Sequence, residues 1–191
     1  MLSRVNPVIA GLGSLEGAIS LRMTSFRVPL DDTARTAAAG SGRLELTDVH
    51  FRPAGLLGEL LVMAGVSGTQ QLTMQPLSVD FRIARGALEY ENLRVVIDTS
   101  FDLIFSGRVG FNDSLQMSVS VPVSEALLRK LAPHAPVGDY ARHLKGARIT
   151  IPLTGTRQSP QLDFKHVKAD DLLRKAADAL LREQAGKLLN R

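Results

Sequence analysis

The sequence predicts a mainly β fold of the α+β class: a curved, bulged antiparallel meander with one apolar face, partly covered by two or three helices. Three observations carry that expectation. Long stretches alternate apolar and polar residues with the two-residue period of strands. One eight-residue pattern recurs three times with the same slip in its alternation. Helical periodicity is confined to a few segments, the longest of them at the C-terminus.

The repeat consists of LRMTSFRV from Leu21, LELTDVHF from Leu44 and LEYENLRV from Leu88. Each copy has apolar residues at its first, third, sixth and eighth positions, with a polar pair between. Gly42 and Gly86 stand two residues before the second and third copies, and Gly17 four before the first. On a regular strand the first two apolar positions would face away from the last two. One extra residue at the polar pair returns all four to the same side, which is what a β-bulge does. Bulges are therefore expected near Thr24-Ser25, Thr47-Asp48 and Glu91-Asn92, and several of them would curl the sheet into a trough; the alternative is that each slip marks a strand end and a loop.

Between residues 75 and 123 the chain reads as a meander. Leu77, Val79, Phe81 and Ile83 alternate with polar or small residues up to a turn at Arg85-Gly86. The third repeat copy and a turn at Asp98-Thr99-Ser100 follow. Phe101, Leu103, Phe105, Val109 and Phe111 then form a strand that closes at the turn residues Asn112, Asp113 and Ser114. Leu115, Met117, Val119 and Val121 alternate in the next. One apolar and one polar face per strand is the pattern of an antiparallel sheet wetted on one side. Near the end, RITIPLTGTRQSPQLDF (148–164) reads as a strand, a turn at Gly155 and a short returning strand. Pro160 suits an edge or a strand start, where the missing N–H is not needed.

Helices are expected at PAGLLGELLVMAGV from Pro53, apolar nearly all round and so buried, and at SEALLRKLA, with Ser124 as N-cap. A third, KADDLLRKAADALLREQAGKLL from Lys168, sets Leu172, Ala176 and Leu180 beside a row of Leu173, Ala177 and Leu181. Asp170 and Asp171 complement its N-terminal dipole. Its Lys165, Lys168, Arg174, Lys175, Arg182, Lys187 and Arg191 are interspersed with four acids, which favours a packed helix with a solvated charged face over a lipid-surface helix. The stretch from Asp31 to Gly42 reads as a flexible loop. One domain results: a β-rich module over 1–164, and an amphipathic helix over 165–191 packed on or capping the sheet.

Of 191 residues 45% are hydrophobic but only 5% aromatic, so the core is aliphatic. The net charge of +4 comes from scattered basic residues with few aromatics between them, which argues against nucleic-acid binding. The absence of cysteine removes disulfides, thiolate metal sites and a Cys nucleophile. No stretch is long and apolar enough to span a membrane, and the N-terminus lacks the form of a signal peptide.

Chemistry-bearing motifs are few. GLGSLEG (11–17) has one residue too many for a dinucleotide fingerprint and precedes a strand. His50, His134, His143 and His166 show no metal-ligand spacing, although His134 and His143 could approach Asp139 in a connecting loop. No set of nucleophile, base and oxyanion donors can be assembled. The expectation is a protein that is not an enzyme and has no cofactor.

The glycine-led strands, the run FDLIFSGRVGFNDSLQMSVSVPV and the close IPLTGT followed by SP together resemble the C-terminal domain of the AsmA-like family of bacterial envelope proteins. NPVIAGLGSLEGAISLRM resembles the start of that module. The resemblance implies a groove-shaped β fold related to bridge-like lipid transfer proteins. It implies a place on the periplasmic side of the envelope, as part of a longer inner-membrane-anchored protein. The implied partners are a phospholipid or other acyl-chain lipid and envelope proteins, in phospholipid transport or outer-membrane assembly. Expected lipid-contacting residues are Leu77, Val79, Phe81, Ile83, Leu103, Phe105, Leu115, Met117 and Val119. The alternative is a structural or interaction cap whose apolar face is closed by helices.

Overall fold

A computed structural model describes residues 15–31, 34–66, 71–97, 101–133, 137–167 and 170–189. Among the described residues nine antiparallel strands form a single curved sheet. They are β1 (Leu15–Arg27), β2 (Ala39–Phe51), β3 (Leu72–Met74), β4 (Leu77–Ala84), β5 (Ala87–Ile97), β6 (Phe101–Gly110), β7 (Leu115–Pro122), β8 (Arg148–Gly155) and β9 (Pro160–Leu162). β3 and β4 share one lane between β2 and β5, and the other strands lie in chain order, so the sheet is a meander edged by β1 and β9. The helices are α1 (Ala34–Ala37), α2 (Gly55–Met63), α3 (Glu125–Leu131), α4 (Val137–His143) and α5 (Asp170–Leu189). A 3-10 turn covers Phe164–His166.

All three expected bulges are present. Against β2, β1 slips between Met23 and Ser25, leaving Thr24 as the extra residue. A second slip sets Asp48 and Val49 of β2 opposite Gly17. Against β6, β5 slips between Tyr90 and Leu93, so that Glu91 and Asn92 hold the excess. Asp48 and Asn92 adopt φ of 52° and 56°, the left-handed region that Asp and Asn enter more readily than other side chains. The slip has the effect expected of it. Leu44, Leu46, Val49 and Phe51 are all buried, as are Tyr90, Leu93 and Val95, with Leu88 half-buried.

The register aligns apolar residues in rows across the sheet. One row runs Met23, Gly42, Phe81, Tyr90, Gly107, Met117, Leu153 and Leu162. Its glycines are space-makers: a Cβ on Gly42 would lie 2.6 Å from Cζ of Phe81, and one on Gly107 would strike the backbone at Gln116 and Met117. The rings of Phe81 and Tyr90 pack between them, 6.4 Å apart and tilted. Glycine inside a strand here marks a close approach.

α2 closes this face. Its Leu56, Leu57, Leu60, Leu61 and Met63 join the core of the sheet, as the all-round apolar sequence predicts. Ser124 caps α3, accepting from the Leu127 N–H at 3.1 Å, and its hydroxyl donates to the Met63 carbonyl at the end of α2. One side chain thus joins two helix ends. α5 departs from the expected lid. It reaches the main core through Leu172, while Leu173 and Ala176 cluster with Leu128 of α3, Leu144 and Tyr140 of the α4 segment in a second, smaller core. Arg142 and His143 of α4 also pair with Glu183 of α5. The helix starts at Asp170 rather than 165.

Two further expectations are corrected. The Asp31–Gly42 loop is shorter than its composition suggests, because Ala39–Gly42 belong to β2 and pair with β1. Gly40 to Gly42 are also flanked by β4. Small residues there admit neighbouring rings rather than flexibility. The segment 137–143, read as a loop, is α4. It has no clear apolar period of its own, and packing of Tyr140 and Ala141 against the second core holds it. The final strand pair is as expected, with Pro160 the first residue of β9. The Asp98-Thr99-Ser100 turn and the N-terminal stretch 1–14 lie outside the described residues.

Candidate functional site

The opposite face of the sheet is polar and laced across its strands. Arg43 holds Asp80 at 2.7 Å, Arg82 and Arg85 share Glu89, and the Arg108 guanidinium donates to Gln116. Asp102 of β6 lies between Arg94 of β5 and Arg148 of β8, at 2.8 and 2.6 Å. Arg148 also donates to the hydroxyl and carbonyl of Ser120 on β7. Burial pushes the Asp102 carboxyl up, but hydrogen bonds from the two arginines outweigh it and hold the group below its usual range. The Arg82 and Arg85 guanidiniums likewise hold Glu89 down. These ties run across six neighbouring lanes, from β2 to β8, and brace the curve. Asp80, Glu89 and Asp102 are each held by at least one arginine across the strands.

The histidines are scattered. His50 meets Thr73, His166 meets Asp163 at 2.6 Å, and His143 meets Glu183 at 3.0 Å rather than Asp139. Asp139 pairs with Arg142, and His134 lies outside the described residues. Among the described residues no three His, Asp or Glu side chains are grouped to hold a metal. Nor is any helix among them long and apolar enough to cross a membrane.

The nine expected lipid contacts do share one face, but the structure withdraws eight of them. Leu77, Val79, Phe81, Leu103, Phe105, Leu115, Met117 and Val119 are buried in the core with α2, and Ile83 alone is half-exposed. Reaching any of the eight requires that core to open. The correction follows from α2, which supplies five apolar side chains to the interior of the curve.

The apolar face nevertheless continues beyond its cover. Ile19, Leu21, Met23 and Phe26 of β1 pair with Leu46, Leu44, Gly42 and Gly40, so they extend the core face by one strand. There they meet water: Leu21 is 50% and Phe26 61% exposed, and Ile19, Met23 and Val28 are exposed too. Leu30, just past the strand, is completely exposed. β1 pairs only with β2 among the described residues, so its outer edge also presents unpaired backbone groups. Most of the large exposed apolar side chains of the described chain lie on this one strand and its exit. A contiguous patch of that kind marks an interaction surface.

Sequence reasoning found this strand but not its role, since the first repeat copy has the same apolar positions as the two buried ones. Comparison with family models, with curated proteins and with solved structures returns no match.

Proposed function

We propose that this chain is a non-enzymatic module of the bacterial cell envelope that binds lipid acyl chains on the open apolar lip formed by β1. The observation that supports it most is the uncovered continuation of the core face through Ile19, Leu21, Met23 and Phe26. The expected groove is thereby reduced to its rim: an acyl chain lies along β1 against a face whose next strand is already packed. Covering these half-exposed side chains contributes about 1 kcal/mol each, enough together to hold a chain without a polar anchor. The resemblance to the AsmA-like module supports phospholipid transport or outer-membrane assembly on the periplasmic side as the setting. The test is lipid extraction after purification, with exchange of a fluorescent phospholipid between vesicles. Leu21→Ser with Phe26→Ser is expected to abolish exchange while the protein stays folded, at a cost of no more than about 2 kcal/mol. Exchange undiminished in that variant, or none in the wild type, refutes the reading.

A second reading has its own observation. The burial of eight expected contacts beneath α2 supports a closed cap whose β1 extends the sheet of an envelope partner. In that case the same double variant loses the partner and never bound lipid.

A further inference from the structure

The meander sorts its connections between two ends. Those holding α2, and α3 with α4, leave one end of the sheet, and α5 joins them there. The β1–β2, β4–β5, β6–β7 and β8–β9 connections leave the other end, which carries only the one-turn α1 and short turns. This turn end is where the exposed apolar surface concentrates. Phe26, Val28 and Leu30 protrude at the exit of β1, and Phe111 is exposed at the β6–β7 turn.

Cations occupy the same end. Arg27 lies between Phe26 and Val28 and has no carboxylate partner among the described residues. Arg85 shares Glu89 with Arg82, and Arg108 meets an amide rather than an acid. Two clefts open here. One, of about 450 Å³, is lined by Arg27 and Arg82 with the Ser25 and Ser41 hydroxyls, and the other, of about 530 Å³, by Arg85, Arg108 and Phe111. Among the described residues the acids at this end are Asp31, Glu89 and Asp113; arginines hold Glu89 and Asp113, and Asp31 has a partner too.

The geometry points to the turn end as a docking surface for an anionic phospholipid bilayer. Apolar side chains enter the boundary between headgroups and acyl chains while neighbouring guanidiniums meet phosphates, the arrangement by which proteins lie on charged membranes. Arginine suits the role because its planar fork takes two phosphate oxygens at once. The inference rests on the lipid reading for its purpose and gives that reading a direction. From Phe26 the exposed face climbs through Met23 and Leu21 to Ile19, about 23 Å at the strand rise, leading away from the bilayer.

Flotation on phosphatidylcholine vesicles with and without phosphatidylglycerol, at low and high salt, tests it. The wild type is expected to float with the anionic vesicles at low salt and to be released by high salt or by omitting the anionic lipid. Arg27→Gln with Arg85→Gln should weaken binding about fivefold per arginine. Phe26→Ser with Leu30→Ser should remove it, and Val62→Ser, an exposed apolar site at the helical end, should change nothing. Failure to float, equal binding to neutral vesicles, or loss in the Val62→Ser variant overturns the proposal. So does a wild-type dimer that the Phe26 and Leu30 substitutions convert to monomer, since the surface is then a self-association face. Phospholipid exchange without flotation refutes docking and leaves acyl-chain binding standing. Flotation without exchange does the reverse.

Discussion

Leu21 and Leu44 occupy the same position in two repeat copies and stand directly opposite each other in the β1–β2 register. They differ only in what lies above them. Leu44 is 0% exposed within the core, whereas Leu21 is 50% exposed on the lip. Truncating each to alanine therefore isolates tertiary context from sequence pattern. Leu44→Ala removes a fully buried side chain and leaves a cavity in the core, with an expected cost of about 3 kcal/mol. Leu21→Ala forfeits roughly half the burial and leaves no cavity, so about 1 kcal/mol or less is expected. For a chain of 191 residues each kcal/mol moves the melting temperature by about 2–4 °C. The expected shifts are about 6–12 °C for Leu44→Ala and at most about 4 °C for Leu21→Ala, measured by circular dichroism at low protein concentration. Phospholipid exchange should reverse that order, with Leu21→Ala the more damaging. Equal melting shifts would show that the β1 face is covered in solution, and the argument for an open lip would fail.

Other substitutions probe the elements around it. Gly107→Ala places a Cβ against the Gln116 and Met117 backbone at φ 133° and should cost about 4 kcal/mol in urea unfolding. Gly58→Ala, in the open interior of α2, should instead add up to about 1 kcal/mol, and destabilisation there would count against the described packing. Ser124→Ala removes the cap of α3 and its bond to Met63 together, so a loss of about 2 kcal/mol is expected in the same assay. The depressed Asp102 carboxyl contributes stability that is present above its ordinary value of 3.8 and lost as pH falls through the lower folded value. Thermal melts of Asp102→Asn should lack that part of the acid slope, and an unchanged slope would show that the Arg94–Asp102–Arg148 bridge does not form.

Much of the candidate site was legible in the residues. The slip between the third and sixth repeat positions located all three bulges, because side-chain alternation allows no other way to keep four apolar residues together. Ser124 and Pro160 announced a helix start and a strand start through hydrogen bonds that each can or cannot make. Less legible were α4, which neighbours stabilise, and the early start of β2, where glycines serve the rings of Phe26 and Phe81. The nine expected contacts share one face, but eight of them are buried and only Ile83 is half-exposed.

The amino-acid order by itself determined which residues form strands, where they bend, and which side of each strand is apolar. It did so because those properties depend on neighbours a few positions apart. Only the tertiary structure decided which part of that side is dry. α2 comes from a connection at one end of the sheet and covers the inner strands, while β1, at the edge, is left with the same side chains in water. Exposure depends on contacts between segments distant in the chain, and Leu21 carries no mark that distinguishes it from Leu44.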